Sequence, residues 1–260
     1  MKKLGYLAIL ILILSAIATP ASAEELDDLL SRTSKQVEGF LAQFSEVKCS
    51  EHVEQDKLNK DGKVELKEES TYDYLVILTN PGGELTLDES RLEVKQAKTD
   101  KKNRAMLVSN GFATLFLIFH PYYSGGFQFT ALEDEVVDGR RLKKVAFRHI
   151  HGSRTPAALS LRGKEYPLEL SGTAVIDPQT GVITHIEAGI ENTMEDVGLN
   201  LLHSEVQYAP VPFKGAKETY WFPVEASVEV ETPRQHWRNV HHFSDYKQFS
   251  VSTEEQVAKQ

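Results

Sequence analysis

Histidine is the side chain whose number and spacing best fit a chemical role in this sequence. There are nine histidines. His149 and His151 are two residues apart, so on a strand they share one face, and His236, His241 and His242 cluster near the C-terminus. Two histidines on a strand face could bind a metal ion, but zinc sites need more ligands. The missing ligand spacing favours ordinary polar histidines, and we expect no metal and no cofactor.

Motifs of catalysis are absent from the sequence. It has no G-x-S-x-G nucleophile elbow, no H-E-x-x-H motif, no P-loop and no G-x-G-x-x-G fingerprint. Cys49 is the single cysteine, so no intrachain disulfide can form. Without a C-x-x-C partner, a buried and inert thiol is favoured over a redox thiol. The sequence therefore predicts no catalytic residues and a protein that is not an enzyme.

Aromatic residues are concentrated in one short stretch and in the last strands. They are Phe112, Phe116, Phe119, Tyr122, Tyr123, Phe127 and Phe129, followed by Trp221, Phe222 and Trp237. One interpretation is an apolar cavity for lipid chains or another greasy ligand. The other interpretation is an ordinary core filled by aromatic side chains, which the residue types alone favour.

Two helical segments are predicted. Near the start of the mature chain, apolar residues at steps of three and four indicate an amphipathic helix of about five turns. They are Leu26, Leu29, Leu30, Val37, Phe40, Leu41, Phe44 and Val47. Residues 112–119 contain seven apolar residues in eight. A helix there is apolar on every side and must be covered all round.

The remaining chain alternates apolar and polar residues, which is typical of antiparallel strands with one wet face. The clearest example carries Tyr220, Phe222, Val224, Ala226, Val228 and Val230 on its apolar face. Turn sequences stand at residues 59–63, 138–139 and 177–181. The predicted fold class is α+β: a single antiparallel sheet, strongly curved or barrel-like, with two helical segments packed on it.

The first 23 residues have the pattern of a secretory signal peptide. Two lysines precede an apolar run over residues 4–18, and Ala-Ser-Ala at 21–23 supplies the small residues of a cleavage site. The run is shorter than the roughly 20 residues of a membrane span, so an uncleaved anchor is the less favoured alternative. We expect cleavage after Ala23 and a mature protein outside the cytoplasm.

The mature chain of 237 residues is expected to form one domain over residues 24–251, followed by a frayed tail over 252–260. It has 27 Lys and Arg against 38 Asp and Glu, a net charge of −11. An acidic exported protein does not suit electrostatic binding to nucleic acid or to an anionic membrane. We expect a monomer.

Taken together, these features resemble a known superfamily. A signal peptide, an amphipathic helix, an open sheet and a central greasy helix are similar to the bacterial lipoprotein carriers of the LolA/LolB type. The LppX-type lipid carriers and the regulator RseB share that fold. Three stretches also resemble exported members of the superfamily: residues 110–123, residues 177–183, and residues 220–224 with 243–249.

The resemblance implies an eleven-stranded, incompletely closed (half) β-barrel with helices plugging its concave side, and an apolar cavity that holds acyl chains. It departs from the carriers in two ways: no arginine can be assigned as the latch of a lid, and the N-terminal cysteine of LolB is missing. The resulting hypothesis is a periplasmic carrier that holds a lipid, or the acyl chain of a lipoprotein, through Phe112, Leu115, Phe116, Ile118, Phe119, Tyr122, Tyr123, Phe222 and Val224.

Two alternatives stay open at this point. One is an envelope interaction or stress-sensing module, in which an outer face binds another envelope protein and there is no lipid cargo. The other is a hydrolase or metal enzyme built on the five clustered histidines.

Overall fold

The computed structural model describes residues 20–79, 85–95, 112–161, 164–213 and 219–248. The predicted signal peptide up to residue 19 and the predicted tail lie outside these ranges. Inside them, two helices and a short 3₁₀ segment pack on the concave face of one large sheet.

Helix α1 (Pro20–Phe44) confirms the first predicted helix. Leu29, Val37, Leu41 and Phe44 are buried, while the acidic pair at residues 27–28 is exposed on the opposite face. The helix begins before the predicted cleavage site, at Pro20. None of the described helices combines the length and the hydropathy needed to span a membrane.

Thirteen strands lie in the described ranges. They are β1 (Val47–Leu58), β2 (Val64–Thr79), β3 (Thr86–Lys95), β4 (Phe127–Ala131), β5 (Glu135–Val137), β6 (Arg140–His149), β7 (Ala158–Leu161), β8 (Lys164–Pro167), β9 (Leu170–Ile176), β10 (Ile183–Ile190), β11 (Leu201–Val211), β12 (Tyr220–Glu231) and β13 (His236–Gln248).

Eleven of these strands form one antiparallel sheet. Its order is β3-β2-β1-β13-β12-β11-β10-β9-β6-β4, with β5 added on β6, and β7 and β8 make a separate hairpin. Among the described strands, β3 and β4 end the sheet and do not pair with each other. The unclosed, curved α+β architecture predicted from the sequence is therefore confirmed.

The apolar segment at residues 112–119 forms a 3₁₀ helix, Phe112–Phe119, called here the inner helix. From Leu115 to Phe119 every residue is at most 5% exposed. The inner helix contacts α1 and strands β10, β11 and β12, so it is covered on all sides as its composition requires. A short helix α2 (Pro121–Ser124) follows, capped by His120.

Strand β12 keeps the predicted alternation over residues 225–229 and loses it at Pro223, which is buried, and at Val224. Ala226 and Val228 are buried, facing the concave side. In the pairing with β11, Gln207 lies opposite Glu225 and Tyr208 lies opposite Pro223, so Val224 is the additional residue of a bulge and is half-buried. A bulge bends its strand locally, which a strict alternation cannot reveal.

The predicted turn at residues 177–181 supports α1 directly. Gly181 donates its backbone N–H to the Asp177 carbonyl over 2.8 Å and has a φ of +77°. A Cβ atom at Gly181 would lie 2.7 Å from the backbone carbon of Arg32 on α1. Glycine is required here for both its left-handed backbone and its lack of a side chain.

We expect Gly181→Ala to loosen the docking of α1, and Gly62→Ala is the matched control. Gly62 has nearly the same φ, +74°, but nothing within 4 Å of the added Cβ. The control should lose about 1–2 kcal/mol of unfolding free energy from backbone strain. Gly181→Ala should lose about 1–3 kcal/mol more, because its added methyl group also overlaps the backbone of α1. Urea unfolding measures both, and equal losses would contradict this contact.

Candidate functional site

The space between α1 and the sheet is lined by aromatic rings. Phe40 and Phe44, one helical turn apart on α1, lie 5.5 Å and 5.6 Å from Phe222 on β12, measured between ring centroids. On the side towards β13, Phe222 stacks on Tyr246 at 4.9 Å. These contacts hold α1 against the middle of the sheet, because aromatic pairs at such distances stabilise beyond the area they bury.

The inner helix fills most of the same space. Phe116 meets Phe40 edge-on at 4.4 Å and Tyr208 at 6.3 Å. Phe119 points to the other end of the sheet, where it lies 5.1 Å from Phe129 and 6.1 Å from Phe147. The described conformation therefore has a packed interior.

Six of the predicted site residues come together in this core. Leu115, Phe116, Ile118, Phe119, Tyr123 and Phe222 all belong to one buried cluster. They lie on the inner helix, on α2 and on β12, and β12 is about a hundred residues further along the chain.

Tyr122 packs against the edge of this cluster. The hydroxyl of Tyr123 donates to the Leu85 carbonyl over 2.8 Å, and the ring of Tyr122 lies 4.0 Å below the guanidinium of Arg154. Val224 is at the β12 bulge. The side chain of Phe112 lies outside the described residues.

One open cavity remains beside the inner helix, with a volume of about 150 Å³. Strands β10–β12, the turn before β10 and one face of α1 form its walls. The described lining residues are Gln36, Val37, Phe40, Gln43, Phe116, Gly181, Val182, Ile183, Tyr208, Thr219, Tyr220 and Trp221. Apart from Phe116, sequence reasoning did not assign these residues to a site. The spacing of Gln36, Phe40 and Gln43 on one helical face was the available signal.

A second, larger groove of about 410 Å³ lies between the first turns of α1 and strands β4–β6. It differs from the cavity because ion pairs cross it. The ammonium of Lys143 lies 2.9 Å from the Glu25 carboxylate and 3.2 Å from that of Asp134. The hydrogen bond that Lys143 donates to Glu25 raises the pKa of Lys143 above its ordinary value. The ion pair of Lys143 with Glu25 links the start of α1 to the sheet across this groove.

A buried ionic cluster occupies the concave face at the end of the sheet formed by β1, β3 and β13. Glu51 on β1 is fully buried. Its carboxylate accepts two hydrogen bonds from Arg91 on β3, at 2.6 Å and 2.9 Å, and lies 2.8 Å from the Nδ1 of His241 on β13. Arg91 also lies 3.0 Å from Glu89. The sequence analysis missed this cluster, although Glu51 follows Cys49 at the spacing of an inward-facing residue.

The environment of the cluster shifts the titration of its members. Burial alone would raise the pKa of Glu51, but the hydrogen bonds with His241 and Arg91 lower it below the ordinary value. Burial lowers the pKa of His241, against the opposing effect of its bond to Glu51. At neutral pH the carboxylate is therefore charged, and the imidazole is neutral and donates a hydrogen bond.

The residues considered for chemistry from the sequence do not assemble into a site. Cys49 is buried, and burial raises its pKa to about 12, which makes the thiol inert. His241 faces the concave side, whereas His236 and His242 lie beside Glu229 and Glu225 on the opposite face, where both are partly exposed. Within the described part of the chain, no three His, Cys, Asp or Glu side chains are placed to hold a metal ion.

No protein-family model matches the sequence, and no curated protein matches it. Solved structures of similar fold do exist. A DUF1329 family protein from Desulfovibrio piger is 14% identical with a TM-score of 0.43, over 91% of this chain and 96% of that one. An outer membrane lipoprotein-sorting protein domain from Vibrio parahaemolyticus is 12% identical with a TM-score of 0.37, over 87% and 95%.

A third similar structure is the MucA/MucB complex of Pseudomonas aeruginosa, at 9% identity and a TM-score of 0.20, over 89% of this chain and 100% of that one. Likenesses of this size concern the fold alone.

We expect His241→Asn to flatten the pH dependence of stability, with His242→Asn on the exposed side of β13 as control. Because the pKa of His241 is below 6.5 in the folded state, the unfolded chain binds a proton that the folded chain does not, and stability falls as pH drops through 6.5. The slope of unfolding free energy against pH between about 6.5 and 5 should shrink by about 1 kcal/mol per pH unit. The asparagine amide can still donate to Glu51.

Unfolding in urea at several pH values measures this slope. His120, whose pKa burial also lowers, should retain part of the slope in both variants. An unchanged slope in His241→Asn would show that its imidazole titrates as it does in the unfolded chain.

Proposed function

We propose that this protein is a non-enzymatic envelope carrier or sensor, which holds a lipidic or acylated ligand between the concave sheet and its two covering helices. One observation carries the proposal. The concave face of an unclosed sheet is covered by a separate 3₁₀ helix with seven apolar residues in eight, in which Leu115–Phe119 are at most 5% exposed. Apolar contacts dominate this covering, so an apolar ligand can take their place.

The energetics favour an acyl chain as that ligand. Each CH₂ group removed from water contributes about 0.8 kcal/mol. When the inner helix moves, the acyl chain takes over its contacts with the aromatic and aliphatic side chains of the walls. The open cavity of about 150 Å³ is of the size that holds benzene. A full acyl chain therefore requires the inner helix to move away from the sheet.

The proposed ligand contacts follow from this displacement. Leu115, Phe116, Ile118 and Phe119 on the inner helix and Phe222 on β12 line the space directly. Phe112, Tyr122, Tyr123 and Val224 are proposed as the outer contacts of the same ligand.

The proposed setting is the periplasm. It rests on the signal-peptide pattern, with cleavage after Ala23, a single mature domain over residues 24–251 and a short tail. The ligand could be a free lipid or the acyl chain of a lipoprotein, and an envelope protein could deliver or receive it.

Native mass spectrometry of the mature protein purified from the periplasm, followed by lipid extraction, tests the function. A bound mass that extracts as a fatty acid, a phospholipid or an acylated peptide supports a carrier or sensor. A clean apo mass, together with no uptake of a fluorescent fatty acid, contradicts it.

We further expect Phe116→Ala to tighten the binding of a fluorescent fatty acid about ten-fold. The truncation joins new space to the open cavity, and two further buried CH₂ groups at about 0.8 kcal/mol each give a factor of this order. Phe147→Ala is the matched control, because Phe147 is equally buried at 2% but does not line the cavity. Both variants should lose about 3–5 kcal/mol of stability.

Fluorescence titration measures the affinities and urea unfolding the stabilities. If Phe116→Ala does not fold, Phe116→Leu provides a smaller enlargement with the same expected direction. Equal affinities for the Phe116 and Phe147 variants would show that the chain does not bind in this space.

The packed interior also favours a second function, a protein-interaction module in which the aromatic cluster is only a core. Under that function the purified protein carries no lipid and co-purifies with an envelope component. The fatty acid titration then shows no saturable uptake in the wild type or in either phenylalanine variant.

A further inference from the structure

The open cavity between α1 and strands β10–β12 meets solvent without any movement of the inner helix. Its volume is about 150 Å³. Of the residues that line it, Gln36 and Thr219 are exposed, whereas Gln43, Tyr220 and Trp221 are half-buried. Polar and amphipathic side chains therefore surround the part of the cavity that a ligand from solvent reaches first.

The polar groups at this entrance are available to a ligand. Within the described ranges, no other side chain or backbone group is bonded to the amides of Gln36 and Gln43 or to the hydroxyls of Thr219 and Tyr220. Gln36 and Gln43 lie two turns apart on the same face of α1. An amide offers both N–H donors and a carbonyl acceptor, and a hydroxyl both donates and accepts. The entrance can therefore bind several groups that themselves donate and accept.

An aromatic ring with an unused face lies at the same place. Trp221 packs against the edge of the core, but among the described residues no other ring is paired with its indole and no group accepts from its Nε1. Tyr220, by contrast, is held between Phe213 at 5.8 Å and Phe222 at 6.2 Å. A half-buried indole of this kind can cover the C–H face of an incoming ring while its N–H stays close to water or to a ligand oxygen.

Other small ligands fit these walls less well. An apolar ring would take water away from the amides and hydroxyls without replacing their hydrogen bonds. A carboxylate or an ammonium group would find no opposite charge, because none of the described lining residues is charged, although 26% of the chain consists of charged residues. The walls therefore favour a ligand that is uncharged, ring-shaped and rich in hydroxyls.

We infer that this cavity is a binding site for a neutral saccharide ring. A sugar ring has C–H groups on its face and a rim of hydroxyls that donate and accept hydrogen bonds. The Trp221 indole matches the face, and the amides of Gln36 and Gln43 match the rim. The inner helix keeps its place, so this site goes beyond the proposed binding of acyl chains. The same ring can belong to a free sugar or to the end group of a glycolipid.

Tryptophan fluorescence of the mature protein tests the site, because the chain has two tryptophans and Trp221 is the one that lines the described cavity. The probes are the methyl glycosides of glucose, galactose and mannose. At least one of them should change the emission saturably below about 0.1 M, as a site of millimolar affinity requires. No saturable change with any of the three would overturn the inference.

Selectivity separates a saccharide site from a site for apolar or charged rings. The uronate of the tightest-binding hexose should bind at least about five-fold more weakly, because its carboxylate loses hydration without gaining a counter-charge. Cyclohexanol should also bind at least about five-fold more weakly, because it lacks all but one of the hydroxyls. A smaller difference for either compound would overturn the inference.

Two pairs of variants connect the result to the cavity. Gln43→Met removes the amide at similar length and helix propensity and should weaken hexose binding at least about five-fold. Gln207→Met, the same change at an exposed position on β11, should bind as the wild type does. Trp221→Phe should abolish the fluorescence change, and Trp237→Phe, which removes a buried indole on β13, should keep it. Unweakened binding in Gln43→Met, or a fluorescence change that survives in Trp221→Phe, would overturn the assignment.

The source of the ring is decided by the octyl glycoside of the same hexose, used below its micelle concentration. Tighter binding than the methyl glycoside, with the same loss in Gln43→Met, supports the end group of a glycolipid, and equal or weaker binding supports a free sugar. Uptake of the fluorescent fatty acid is measured on the same preparations. Hexose binding without fatty acid uptake contradicts only the proposed function, and uptake without hexose binding contradicts only this inference.

Discussion

An antiparallel sheet whose ends do not meet leaves its concave face to be covered by other elements. In the described part of this protein β3 and β4 are those ends, and the cover consists of α1 and the inner helix. The aromatic contact of Phe40 and Phe44 with Phe222 fixes α1 on the sheet. The remaining interior space, including the cavity, lies between this cover and the sheet.

The concave face is chemically divided, and the division indicates which part can move. At one end, Glu51 joins β1 to β3 and β13 through charge-assisted hydrogen bonds in a buried setting. Leaving one partner of such a buried pair without the other costs about 3–5 kcal/mol, so this end is held firmly. In the middle of the sheet the inner helix rests on β10–β12 mainly through apolar side chains, whose contacts a lipid or a rearranged core can replace. A conformational change is therefore expected in the inner helix and not in the ionic end of the sheet.

The family resemblance, and not periodicity, predicted that the sheet is unclosed. Periodicity in the sequence was sufficient to predict α1, the inner helix, the turn at residues 177–181 and a curved antiparallel sheet, because each is dictated by local spacing or by glycine. It did not reveal the bulge at Val224, which depends on the pairing with β11, nor the cluster around Glu51, whose members come from three separate strands. Glu51 sits at an inward position, but only the fold shows that a guanidinium from β3 meets it there. The cavity lining was missed for the same reason, since Tyr208 and Gln43 become neighbours only when α1 docks.

The same side chains serve here as core and as candidate site, which limits what stability measurements can decide. Truncating Phe116 or Phe119 removes packing whether or not a ligand binds, so a loss of stability is expected under either function. Only a measurement of ligand binding separates the two.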